Sequence, residues 1–183
     1  FILSLLNDDH PLSYFKSRIP ETMYYVSDLS RYFKEWFGIV EKPLIVVDRR
    51  LRGRVNPPRG VKVKYVSLRG RRFKFDWNLR LTFAKLEQSV ADVLSFEENY
   101  QSFLPDIILN LERIDLDEVV KKANERGLKL LATILSYYSI LTSVNIPVRF
   151  DYFKLLDEKM LDEVIATATS IILPDDLIQR RNI

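Results

Sequence analysis

The sequence predicts an α+β fold, with a small, mostly antiparallel central sheet preceded by a short helical region and followed by a helical C-terminal half. Two observations carry that expectation. Apolar residues recur at helical spacing near the start, switch to period 2 in the stretch between Leu44 and Phe83, and return to helical spacing from Ala84 onward. No segment repeats and none is of low complexity, so the chain reads as a single α–β–α succession. The expected organisation is an N-terminal helical segment over 1–43, a basic β-sheet region over 44–83 and a helical C-terminal region over 84–183, together one compact domain.

The elements follow in order. Pro11 to Arg18 suits a short helix with proline in its first turn, where the missing N–H costs little, and Pro20 stops it. Tyr24-Tyr25-Val26 is a brief extended run, and Ser27 is placed to cap a helix on which Leu29, Tyr32, Phe33 and Trp36 share one face, closed by Gly38. Leu44-Ile45-Val46-Val47 is a continuous apolar run suited to a buried central strand. Val61, Val63 and Tyr65 alternate with Lys62 and Lys64. Phe73, Phe75 and Trp77 alternate with Arg72, Lys74 and Asp76, and Leu79, Leu81 and Phe83 with Arg80 and Thr82. Asn56-Pro57-Pro58-Arg59-Gly60 is a turn-rich loop, and Leu68-Arg69-Gly70-Arg71 reads as a hairpin connection. In the C-terminal half, Leu86, Val90, Val93 and Leu94 share a helix face with Glu87 and Asp92 away from it. Asp115 caps a helix ending at Gly127, Leu128 to Leu141 forms a more apolar one, and Asp151 and Asp157 open further helical runs, with Pro147 and Pro174 as breaks.

At 183 residues with 47% hydrophobic content the chain can bury a proper core. It has no cysteine, so disulfides and thiolate zinc sites are excluded. No apolar run is long enough to span a membrane, and the patch Ile2 to Leu6 is followed by Asn7-Asp8-Asp9 rather than by a cleavage site. A cytoplasmic location is the expectation. Phe1 is not a plausible initiator, so residues are expected upstream of it.

Charge is the most informative feature. From Arg49 to Lys74 the chain carries eleven basic residues and no acidic one, with Asp48 and Asp76 on either side. Of 28 Lys and Arg and 25 Asp and Glu, removing those eleven leaves 17 basic against 25 acidic, so a net +3 hides a strongly polarised molecule. The candidate nucleic-acid-binding residues are Arg49, Arg50, Arg52, Arg54, Arg59, Lys62, Lys64, Arg69, Arg71, Arg72 and Lys74. Lys62/Lys64 and Arg72/Lys74 are expected on the exposed faces of neighbouring strands, with the arginines of 49–59 extending the field along a flexible loop. Arginine outnumbers lysine there, which favours forked phosphate contacts or a narrow minor groove. Period 2 places Phe73, Phe75 and Trp77 opposite the charges, in the core rather than as stacking platforms.

Machinery for catalysis is thin. A single histidine, His10, in a turn where it is expected to be solvated, and no cysteine argue against histidine-based triads, and one histidine excludes histidine-rich metal sites. None of the five glycines lies in a dinucleotide or P-loop motif. Asp48 and Asp76 near many cations leave a Mg²⁺-dependent nuclease as an alternative, although Lys74-Phe75-Asp76 has the wrong order for a Glu-x-Lys nuclease strand. No catalytic residue, metal or cofactor is assigned.

Several short motifs resemble those of AbiEi-type antitoxins, the regulators of abortive-infection toxin–antitoxin systems. Tyr25-Val26-Ser27 precedes a helix ending in Gly38. Ile45-Val46-Val47-Asp48-Arg49-Arg50 is a Val/Ile-rich strand with an arginine pair, Gly60-Val61-Lys62-Val63 a G-V-x-V strand, and Glu87-Gln88-Ser89-Val90-Ala91-Asp92 a helix opening. The Leu-Asp and two-helix pattern around Asp115 to Leu141 also fits, so the resemblance spans about Pro11 to Val144. Departures are the bulkier helix (Tyr32, Phe33, Trp36) and Gln88 in place of a basic residue. The resemblance implies a winged helix upstream of Phe1 or its loss, repression of the protein's own operon, and opposition to a nucleotidyltransferase-like toxin without need of a stable complex. The leading expectation is therefore a non-enzymatic, antitoxin-like regulator gripping double-stranded DNA by its backbone. The second is a protein-interaction module whose basic face docks an acidic partner or another copy.

Overall fold

A computed structural model describes residues 10–33, 43–143, 146–149 and 151–172. The fold is α+β, with helices before and after a five-stranded mixed sheet in which antiparallel pairing predominates. The chain divides into two compact units, residues 1–89 and 90–183. The first 43 residues are not purely helical, because they supply a strand at the middle of the sheet.

The first unit begins with α1 (Pro11–Arg18), capped by His10, whose Nδ1 accepts the Leu12 N–H at 3.2 Å. Its buried residues Leu12 and Phe15 pack on the sheet. The strands are β1 (Tyr24–Ser27), β2 (Leu44–Asp48), β3 (Lys62–Val66), β4 (Phe73–Asp76) and β5 (Leu81–Ala84), in the order β3-β2-β1-β5-β4. β1 with β2 and β4 with β5 are antiparallel over four residues each; β2 with β3 is parallel over five, and β1 meets β5 in parallel at Val26 and Phe83. Central strands are buried on both faces, which explains the unbroken apolar run of β2 and overrides the apparent alternation of β5, where Thr82 is as enclosed as its neighbours.

Register settles which residues share a face. Tyr24, Val26, Ile45, Val47, Leu81 and Phe83 form the core under α1, and Lys74 and Asp76 fall on that face beside Phe83 and Leu81. Tyr25, Leu44, Val46, Thr82 and Ala84 lie on the other face, where Lys62 and Lys64 sit beside Leu44 and Val46, and Phe73 and Phe75 beside Ala84 and Thr82. The Tyr25 and Phe73 rings stack at 5.2 Å on that face.

The second short helix, α2 (Ser30–Phe33), is capped by Asp28 rather than Ser27: Asp28 Oδ1 accepts from Ser30 N at 3.1 Å and Ser30 Oγ at 2.6 Å, while Ser27 closes β1. Trp36 and Gly38 lie outside the described residues.

α3 (Leu86–Phe96) crosses the division between the units. Asp92, expected on its polar face, is 1% exposed. In the second unit come α4 (Leu104–Leu109), α5 (Leu116–Val120), α6 (Glu125–Thr142) and α7 (Glu158–Ile172). Asp115 does cap α5, through Glu118 N at 3.1 Å, but that helix stops at Val120 and Asn124 caps a new one. Gly127 therefore sits inside α6, not at a helix end. A Cβ there would meet Ser95 Oγ at 2.6 Å, so glycine permits α6 to approach the end of α3. Arg126 donates to the Leu94 and Glu97 carbonyls at 3.1 and 2.9 Å, satisfying acceptors that the end of α3 leaves open. Leu94, Leu104, Ile107, Leu130, Leu131, Ile134 and Leu135 are wholly enclosed.

Candidate nucleic-acid interface

The first turn after β2 is built by Asp48. Its Oδ1 accepts the Arg50 N–H at 2.9 Å and Arg50 Nε at 2.8 Å, and its Oδ2 accepts Arg50 Nη2 at 3.1 Å. The Arg50 hydrogen bond, with help from the Arg49 charge, holds the Asp48 carboxyl below the usual carboxylate range despite its burial. A single 3-10 turn, Arg49–Leu51, results, and both its arginines are exposed.

The second part is the connection from β3 to β4. These strands are not hairpin partners; they are the two edges of the sheet, so residues 67–72 must cross it. Buried Leu68 pins the crossing, Arg71 N bonds the Leu68 carbonyl at 3.1 Å, and Gly70 takes a positive φ of 79° that a side chain would resist. Arg71 is a structural brace here, donating from Nε to the Ser67 carbonyl at 3.2 Å and from Nη1 to the Tyr25 hydroxyl at 2.9 Å. Arg72 is held through its backbone, N–H to Gln88 Oε1 at 3.3 Å and carbonyl to Lys85 N at 2.9 Å.

Between the turn and the crossing lies a cleft of about 390 Å³ lined by Thr22, Asp48, Arg49, Arg50, Ser67, Leu68, Arg69 and Phe73. Three of the predicted cations, drawn from segments some twenty residues apart, thus meet around two hydroxyl side chains. Arg50 is offset by Asp48, whereas neither Arg49 nor Arg69 forms a salt bridge with a carboxylate among the described residues. Thr22 and Ser67 were not legible as site residues, since isolated hydroxyls carry no pattern.

The remaining cations are dispersed. Lys62 and Lys64 lie on β3 and Lys74 on β4, at opposite edges and on opposite faces, so the expected pair of neighbouring basic strands does not form. Arg52 lies over the Tyr65 ring at 5.7 Å, and Arg54 and Arg59 are exposed. Their loop is tethered, with Asn56 N bonded to the Tyr14 hydroxyl at 3.1 Å and the Tyr65 hydroxyl to the Val55 carbonyl at 3.4 Å.

Asp48 and Asp76 do not converge. They occupy opposite faces, on strands three spacings or roughly 14 Å apart. Asp76 is bound to Arg31 and accepts Asn78 N at 3.0 Å and Leu79 N at 3.1 Å. Burial alone would raise its pKa, but these hydrogen bonds, Arg31 first, bring it below the usual range.

A separate groove of about 470 Å³ in the second unit is lined by Glu112, Asp115 and Asp117 together with Leu116, Tyr138 and Pro147. Among the described residues no helix is long and apolar enough to cross a membrane. No family model matches this chain, and no curated protein or solved structure is similar to it.

Proposed function

We propose that this protein is a non-enzymatic DNA-binding regulator of the antitoxin type, gripping duplex DNA through backbone phosphates. The observation that carries the reading is the cleft in which Arg49, Arg50 and Arg69 gather around Ser67 and Thr22. Guanidinium forks and hydroxyls on a braced frame suit phosphate oxygens, and no helix within 49–74 is long enough to read a major groove. The dispersed cations of β3, β4 and the 52–59 loop add a long-range field without defining a second contact point. A nucleotidyltransferase-like toxin is the functional counterpart in this reading.

A salt titration of duplex binding tests it. Neutralising Z phosphates gives a log–log slope near −0.9Z, so a slope of about −2 or steeper, similar for unrelated sequences, is expected. A slope near zero overturns the proposal. Restored growth of cells expressing the neighbouring toxin tests the antitoxin part separately.

A second reading has the basic face dock an acidic partner or another copy. The acidic lining of the groove at Glu112, Asp115 and Asp117 favours it. Sedimentation at low and high salt separates the two, since self-association through these surfaces is concentration-dependent and lost in salt.

A further inference from the structure

We propose that the β4–β5 turn carries a base-stacking platform, Trp77, that engages an unstacked nucleobase of the same nucleic acid whose phosphate occupies the arginine cleft. The inference rests on the polyanion reading above and names what the ligand must present.

Trp77 is 83% exposed, far more than any other large apolar side chain among the described residues of the first unit. Its position is built rather than frayed. Asp76 Oδ1 accepts both Asn78 N and Leu79 N, Arg31 clamps the other carboxylate oxygen, and the Arg31 guanidinium lies 4.0 Å from the Phe83 ring centroid. Phe75 meets the indole edge-to-face at 4.9 Å and 82°, supporting one side of the ring and leaving the rest to solvent. Arg80 closes the turn at a φ of 52°, a conformation that glycine or asparagine adopts with less strain. Arg80, exposed and in the same turn as the indole, supplies a cation that suits an anionic ligand rather than an apolar one.

Register links this turn to the cleft. Tyr24 pairs with Val47, Val26 with Phe83, and Asp76 with Leu81, so Asp48 and Trp77 both emerge just past the same end of the sheet. They are three strand spacings apart, roughly 14 Å, or about four stacked nucleotides at about 3.4 Å each. A phosphate in the cleft therefore places a base no more than about four positions away against Trp77, fewer where the strand is extended, and only an unpaired or unstacked base offers its face there.

The test compares the parent protein, Trp77→Ala and Trp77→Phe on four fluorescent probes. These are a single DNA strand, the single RNA strand of the same sequence, the fully paired DNA duplex, and that duplex with one unpaired adenine. Trp77→Ala should weaken binding to both single strands and to the unpaired-adenine duplex by roughly 5- to 150-fold, the span of base–aromatic stacking, while changing paired-duplex affinity little. Trp77→Phe should recover most of the loss, and unchanged thermal melting should accompany both. A preference between the DNA and RNA strands assigns the source of the base. Equal affinity of Trp77→Ala and parent for all four probes overturns this proposal but leaves phosphate gripping intact. Failure of the parent to bind any probe removes the underlying reading. Loss of self-association in place of nucleic-acid binding assigns Trp77 to a second copy and likewise overturns the proposal.

Discussion

Replacing Arg49 and Arg69 together by alanine separates phosphate gripping from mere surface charge. These are the two cleft cations that form no salt bridge among the described residues, so little of the fold depends on them and a ligand can take up most of their charge. Each phosphate contact contributes about 0.9 to the log–log salt slope, so losing two flattens it by about 1.8. Between about 50 and 200 mM salt, a fourfold change, the parent should lose roughly 12-fold more affinity than the variant. Fluorescence anisotropy on two unrelated duplexes reads both slope and sequence dependence, and thermal melting checks the fold. The expected result is an equal loss on both duplexes, a flattened slope and an unchanged melting temperature. An unchanged slope would show that the cleft holds no phosphate. A large drop in melting temperature would show that the arginines are structural. Unequal losses would point to base readout from this site.

Further outcomes follow from the same geometry. Asp48→Asn keeps an acceptor for the Arg50 N–H but removes the one carboxylate that lines the cleft among the described residues, so duplex affinity should rise while thermal stability falls; weaker binding would refute the charge argument. Asp28 is buried, and burial raises its pKa against the opposing hydrogen bonds from Ser30. A carboxyl with a raised folded pKa contributes stability that is fully present below its unfolded pKa, near 4, and lost as pH rises through the folded value. Asp28→Asn should therefore gain stability over the parent at neutral pH, with the gain shrinking towards pH 4 in urea titrations; the opposing depression at Asp48 and Asp76 is common to both proteins. Gly127→Ala should cost about 1–3 kcal/mol instead of the usual helix gain, and adding Ser95→Ala should recover part of it if the clash is with Ser95 Oγ. Leu135→Ala, at a wholly buried position of α6, should cost about 2–5 kcal/mol by chemical denaturation, and a loss near zero would place that helix at the periphery.

Periodicity located the elements well because it reports which side of an element meets the core. Val63 and Tyr65 against Lys62 and Lys64 marked a strand with one apolar and one polar face, and the unbroken run Leu44–Val47 marked a central one. It could not order the strands. Nothing local distinguishes a hairpin at Leu68–Arg71 from a crossing, because both need a glycine at positive φ, and the choice is made by Tyr25 and Phe73 stacking on one face. That choice dispersed the basic strands to opposite edges and made Arg71 a brace. Gly127 was misplaced for a related reason, since a glycine that stops a helix and one that admits a neighbouring helix look alike in sequence.

The site was legible as a charge block and illegible as a place. The strand order sends most of the eleven cations to a loop and two edges, and the exceptions are Arg49, Arg50 and Arg69, which the turn after β2 and the crossing segment bring to one cleft. The Asp48 carboxylate makes that meeting tolerable by neutralising one arginine, so an acidic residue at the edge of the block has a structural task beside the cations. The alternation of β4, extended to Trp77, predicts a core position that the structure does not bear out. The strand ends at Asp76, where Asn78 and Leu79 N–H groups capture the carboxylate and turn the chain, and the next side chain is released to solvent. The same hydrogen bonds that end the strand therefore create the exposed indole, so removing them with Asp76→Ala should disorder the turn and abolish any stacking by Trp77 even with the tryptophan in place.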